Sequence, residues 1–410
     1  MANIREYMKK REQDAGQQTD KSGEKDSFKK KLWLHRGRKV LSVIGVIALL
    51  VGLVFGYQYY RKNLVYTDYD VLAVSELTET TNGEYKAYGD YILRYSMDGI
   101  SCMDKGGALV WGQAYEIKNP IVEVCGDYVA VAALKGNEVY IFNKTGYQGE
   151  LKTQYPINAI CVAGQGVVAV LLEDSGENYI KMYDVFGTEL VVMKTLLEGE
   201  GYPFAMALSE DGKKMAVSYL NIVDNAIQNT VEFYNFSEVG QNYVEQLVGT
   251  YINEFENSLV PDIQFVNNNT VCAFADNQLV LFKMKEIPEL LAQIPIEEKI
   301  HSVFYNKEYI GLLTEDAEDG VLQQLQVYKV SDGSPVAGIT GKKLSQEYRN
   351  AFFAGENLVL YNQSSCEIIT LEGMEKFNYS FEKGIMLFKH IADTRYNLIT
   401  PSSISEIRLK

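Results

Sequence analysis

Apolar and polar positions change rhythm once along the chain, and the change divides it. Residues 40–56, VLSVIGVIALLVGLVFG, run without a charged side chain. As a helix rising ~1.5 Å per residue they span about 25 Å, and residues 57–60 extend this to about 31 Å, one hydrocarbon core. The run predicts a single transmembrane helix over 40–60. From about residue 71 onward the apolar runs are short, rich in β-branched and aromatic residues, and broken by Gly, Asp and Asn. That rhythm predicts strands and tight turns, with almost no helix.

The strand pattern repeats. The clearest copies are IVEVCGDYVAVAALKGNEVYIFNKTGYQGEL from Ile121 and INAICVAGQGVVAVLLEDSGENYIKMYDVFGTELVV from Ile157. Further units start near residues 84, 203, 258, 299, 347 and 385, a mean spacing of 43 residues. That is the length of one four-stranded propeller blade, and a ring of blades buries both apolar faces of each sheet while removing long free edges. The last unit has only three strands, whereas a spare run, VLAVSEL at 71–77, precedes the first. The expectation is an all-β propeller of about eight blades, seven being the alternative count, closed by 71–77 as the outer strand of the last blade. The domain plan is then a tail (1–39), a membrane helix (40–60), a linker (61–70) and the propeller (71–410).

Charge orients this plan. Six cations (Lys29, Lys30, Lys31, Arg36, Arg38, Lys39) precede the apolar run and two (Arg61, Lys62) follow it. Cations resist translocation, so the expected topology is a cytoplasmic N-terminus and an extracytoplasmic C-terminal domain in the cell membrane. A cleaved signal peptide fits less well, because the n-region is too long and no small-x-small site follows. Residues 1–39 carry a net +6 and the remainder −21. An acidic domain of this kind argues against nucleic acid as its partner, since neutralising phosphates needs Lys and Arg. Within 13–28 the tail reads as a disordered linker.

Two local motifs sharpen the scaffold. Residues 102–111, CMDKGGALVW, resemble the quinoprotein-type propeller repeat, in which an acidic residue and a Gly make the turn and a Trp docks between blades. The matching positions are Asp104, Gly107 and Trp111, and no other repeat keeps a Trp, so the resemblance supports the scaffold and gives no support to a bound quinone. Residues 208–217, LSEDGKKMAV, are similar to the Ser-x-Asp-Gly hairpin of WD40-like propellers, with Asp211-Gly212 at the turn; Asp98-Gly99 is a further candidate turn pair. The whole layout resembles the uncharacterised single-pass extracytoplasmic propeller proteins of Gram-positive-type bacteria, a resemblance that carries no site residues with it.

Chemistry-bearing motifs are scarce. There is no HExxH, GxSxG, Walker loop, EF-hand loop or paired-cysteine metal spacing, so no catalytic residue, metal ligand or cofactor is assigned. His301 and His390 read as ordinary strand residues. Five cysteines (Cys102, Cys125, Cys161, Cys272, Cys366) read as small buried hydrophobes; Cys125 and Cys161 hold matching places in successive repeats. The acidic run 315–320 reads as a solvated hairpin. The insertion at 221–230 is either a plain long hairpin or a recognition loop. Gly45, Gly52 and Gly56 form a candidate helix–helix face through which two copies would pair. Ile4, Tyr7 and Met8 form the apolar side of a basic helix suited to the inner leaflet or a cytoplasmic partner. These features order three functional expectations: a membrane-anchored scaffold binding envelope proteins, a ligand-sensing receptor, and a carbohydrate-active enzyme.

Overall fold

The structure is a computed structural model that describes residues 5–13, 33, 41, 43–57, 59–60, 62–77, 83–197, 199–223, 226–316 and 321–410. The chain divides into two compact units, residues 1–64 and 65–410. In the first unit, residues 5–13, 43–57 and 59–60 are helical and their side chains are exposed. Among the described residues no helix is long and apolar enough to cross a membrane. The expected span includes residues 40, 42 and 58, which lie outside the described ones, as do 14–28 of the expected disordered linker.

The second unit is built from eight four-stranded antiparallel sheets. Seven are continuous in sequence: blades 1 to 7 cover residues 84–114, 120–152, 157–196, 202–251, 262–295, 300–344 and 350–380. Blade 8 takes three strands from 387–409 and its outer strand from Tyr69–Glu76, which pairs antiparallel with Ser403–Leu409 from Tyr69↔Leu409 to Glu76↔Ser403. Expected as a linker, 61–70 is already part of this domain from Tyr66. Tyr66 bridges Phe377, Thr67 N–H donates to Lys410 O at 3.0 Å, and Asp70 pairs with Lys410 at 2.7 Å. The contacts with Lys410 tie both ends of the domain together in blade 8, and Tyr66 adds a bridge to blade 7.

Why these runs become blades is visible in the middle strands. In Tyr128–Ala133 both the Val129/Val131 side and the Ala130/Ala132 side are fully buried, so the strand reads as unbroken apolar sequence. The two sides feed different cores. Val129 and Val131 pack with Tyr88, Leu93 and Cys102 of blade 1, whereas Ala130 and Ala132 pack with Ile160, Val168 and Val170 of blade 3. The buried residues fall into eight such clusters, each drawn from two neighbouring blades, including one between blades 8 and 1. The blades therefore form a closed ring.

Candidate functional site

Because the blades form a ring, their first strands face a common axis. Chemically distinctive side chains from neighbouring blades meet there. Lys86 of blade 1 donates to Val122 O at 2.5 Å and lies 3.7 Å from the Glu123 carboxylate of blade 2. In blade 5, Asp262 accepts from Gln264 Nε2 at 2.8 Å, and the Tyr305 hydroxyl of blade 6 donates to Gln264 Oε1 at 3.0 Å. Cys161 Sγ of blade 3 donates to Met206 O at 3.1 Å.

The enclosure governs the protonation of this channel. Glu123 reaches channel water but is surrounded by protein. Desolvation raises its pKa, Lys86 opposes this, and the negative charge of Asp262 adds to the rise. Desolvation also raises Asp262, and it raises Tyr305 and Cys161 well above their ordinary ranges. The channel residues named here thus set two carboxylates, Glu123 and Asp262, against one ammonium, Lys86, among hydrogen-bonding side chains. Among the described residues no group of three His, Cys, Asp or Glu is arranged to hold a metal ion. All five cysteines are free thiols.

The two ends of the ring differ. Turns between first and second strands, and between third and fourth, lie at one end. Turns between second and third strands, and the connectors between blades, lie at the other. On this connector face blade 4 stands out. Its second and third strands, Lys214–Val223 and Ala226–Asn235, are each ten residues long, against five to seven in every other blade. Their extra length pairs as far as Val223↔Ala226 and carries the cross-strand pair Ile222↔Ile227. Those two isoleucines are 71 % and 53 % exposed. Lower down, Asn229 is buried: it donates to Ser218 Oγ at 2.7 Å and accepts from Val260 N at 3.0 Å, fixing the base of the arm to the next connector. The insertion singled out at 221–230 is this arm, apart from 224–225, which lie outside the described residues.

Of the turn residues named from sequence, Asp104, Gly107, Asp211 and Gly212 lie at the opposite end. Asp104 Oδ1 accepts from the N–H of Gly106 and of Ala108, both at 2.9 Å. Gly107 follows with φ +84°, a conformation open to glycine, and a Cβ there would lie 3.1 Å from Ser75 of the closing strand. Asp211 accepts from Ser209 Oγ at 2.6 Å, Gly212 has φ +65°, and the Asp211 N–H donates to Asn268 Oδ1 of blade 5 at 3.0 Å. Trp111 stacks on Phe142 of blade 2 at 5.2 Å and 5°, bridging two blades. Asp98 and Gly99 form the turn into the third strand of blade 1, on the connector face. In the first unit, a Cβ added at Gly45, Gly52 or Gly56 would meet nothing within 4 Å, and Tyr7 and Met8 are exposed. Ile4 lies outside the described residues. His301 Nε2 sits 3.1 Å from Glu315 Oε1 and His390 Nε2 3.2 Å from Asp393 O, in separate blades. Of the acidic run at 315–320, residues 317–320 lie outside the described ones.

Sequence reasoning missed two features. The Asp104 turn recurs as Asn143–Gly146 and Asp184–Gly187, where the Asn143 and Asp184 side chains accept backbone N–H groups two residues on. The spacing of a short acceptor three residues before a Gly could have revealed it. The channel set (Lys86, Glu123, Asp262, Gln264, Tyr305) had no such signal, because its members come from four blades.

The chain belongs to the family of unknown function DUF5711, whose model matches residues 61–409. No curated protein matches it in sequence. Its fold resembles that of BamB from Moraxella catarrhalis (11 % identity, 83 % of this chain and 100 % of that one, TM-score 0.51). It also resembles Sqt1 from Chaetomium thermophilum, crystallised bound to the N-terminus of the ribosomal protein L10 (13 % identity, 84 % and 100 % covered, TM-score 0.53). A third likeness is Sqt1 from Saccharomyces cerevisiae (10 % identity, 82 % and 98 % covered, TM-score 0.53). At such identities the likeness shows the fold alone.

Proposed function

We propose that this family member is a protein-interaction platform of the cell envelope, held at the membrane by residues 40–60, with its propeller outside the cytoplasm and no catalytic role. The observation that carries the reading is the blade 4 arm, which holds the paired Ile222 and Ile227 side chains exposed to water. Exposed β-branched pairs at the end of a hairpin favour association and are kept where a partner covers them. Sqt1, of similar fold, is bound in its crystal to a segment of another protein. Support for the membrane tether is the charge-free run 40–56 and the excess of cations before it.

A photoreactive amino acid at position 222 of the full-length protein in living cells tests the platform. The expected product is a discrete adduct with another protein. Adducts with lipid alone, or none, refute it. Protease added to intact cells tests the topology: it should digest the 65–410 domain and spare an epitope tag at residue 1, and the reverse pattern would overturn the orientation.

A further inference from the structure

The chemistry of that partner follows from what surrounds the arm, and the inference rests on the platform reading. On one side, the connector before blade 4 passes the base of the arm, where a Cβ at Gly201 would lie 2.8 Å from Leu220 O and 3.3 Å from Asn221 Cβ. That connector carries Glu200. On the other side, Gln228 of the arm bridges antiparallel to Glu256 in the connector from blade 4 to blade 5. Glu254 lies in the same connector, and the Gln278 side chain pins its carbonyl at 2.7 Å. The adjoining turn and next connector add Asp276, Glu297 and Glu298. These segments (199–201, 252–261, 275–277 and 296–299) hold six carboxylates and one ammonium, that of Lys299.

The single ammonium is already engaged, with Glu315 at 3.4 Å. No ion pair among the described residues uses Glu200, Glu254, Glu256 or Glu297, in contrast to neighbouring Glu173 and Glu177, which pair with Lys135 and Lys194. The arm therefore presents apolar side chains inside a sector of uncompensated negative charge. An anionic membrane or a nucleic acid would be repelled by that sector, and a purely apolar partner would leave it unused. We infer that the blade 4 arm and its flanking connectors bind a positively charged polypeptide segment, whose apolar side chains cover Ile222 and Ile227 while its Lys or Arg side chains meet Glu254, Glu256 and Glu297.

The test uses the full chain in detergent and a short fluorescein-labelled peptide of lysine and leucine, read by fluorescence anisotropy. Parallel probes replace lysine by glutamate, or leucine by serine. The lysine–leucine peptide should bind in low salt and weaken as salt rises. Ile222→Ser with Ile227→Ser should weaken it at least about tenfold, as the loss of two covered aliphatic side chains implies. Glu254→Gln, Glu256→Gln and Glu297→Gln together should weaken it several-fold and flatten its salt dependence. Leu109→Ser, at an exposed apolar position on the outer strand of blade 1, should change nothing. All the substituted side chains are already partly or fully solvent-facing, and an unchanged thermal melt verifies folding. Equal binding of the glutamate–leucine probe, indifference to the Ile222/Ile227 change, or equal loss in Leu109→Ser overturns the inference. A protein adduct from position 222 alongside failure of the lysine–leucine probe would leave the platform standing and discard its cationic partner.

Discussion

Trp111 offers a sharp test of how neighbouring blades are held. Its ring stacks on Phe142 with planes 5° apart, and Tyr147 meets the edge of Phe142 at 6.1 Å. The indole N–H, however, is buried with no hydrogen-bond partner. Removing the side chain as Trp111→Ala gives up the stack, worth about 0.5–1.5 kcal/mol beyond area, and most of the burial. Full large-to-small losses for Trp run ~3–5 kcal/mol, and for a partly exposed ring about 3 is expected. Trp111→Phe keeps a ring on Phe142, gives up roughly 1 kcal/mol of area, and removes a desolvated donor that costs about 1–3 kcal/mol. The two terms nearly cancel, so Trp111→Phe should lie within about 1 kcal/mol of the native protein. With an unfolding entropy near 0.7 kcal/mol per kelvin for a domain of this size, the Ala variant should melt about 4 °C lower and the Phe variant within ~1.5 °C. Thermal denaturation followed by circular dichroism distinguishes them. If Trp111→Phe falls as far as Trp111→Ala, the indole N–H has a partner and the packing argument is wrong.

Three further outcomes follow from the ring. Asp262→Asn should raise thermal stability at neutral pH. Both Asp262 and Glu123 have pKa values raised by desolvation, so the folded state binds their protons more tightly than the unfolded chain does, and stability falls as pH rises from the ordinary carboxylate range through the raised values. The variant's melting temperature should accordingly change less between mildly acidic and neutral buffer, and an unchanged slope would contradict the assignment. Gly99→Ala should destabilise by ~1–3 kcal/mol, because its Cβ would lie 2.6 Å from Gln113 O in the paired outer strand; a melt matching the native one would show that the pair can spread freely. Hydrogen exchange should open the ring between blades 8 and 1 first, since among the described residues that seam buries five apolar side chains (Ile92, Met103, Leu387, Ile399, Ile404) against ten to fourteen at each of the others. Uniform protection around the ring would argue against this.

What could be read from sequence and what could not divide along one physical line. Local rules act within a blade. Alternation, the Asp211-Gly212 turn and the unbroken apolar middle strands such as Tyr128–Ala133 act over a few residues, and together they suffice to count eight four-stranded blades. The blade 4 insertion was visible for the same reason, as a run too long for its turn. The channel is a product of ring closure. Glu123, Asp262 and Tyr305 lie on first strands whose alternation shows only that one side meets water, which holds equally for a strand facing the outside. Likewise, Glu200 and Glu256 look like ordinary solvated charges until two connectors bring them beside one arm. Even 61–70 reads as a linker because its partners, Phe377, Arg408 and Lys410, are more than 300 residues away in the chain. In this fold the sequence neighbourhood of a residue determines its strand, whereas its chemical neighbourhood depends on which blade the ring places opposite. Both the acidic channel and the arm with its carboxylates are therefore properties of the closed ring, and a substitution that opens the seam between blades 8 and 1 should weaken the channel, whose walls span the ring, before it weakens the arm, whose flanking connectors belong to blades 3 to 6.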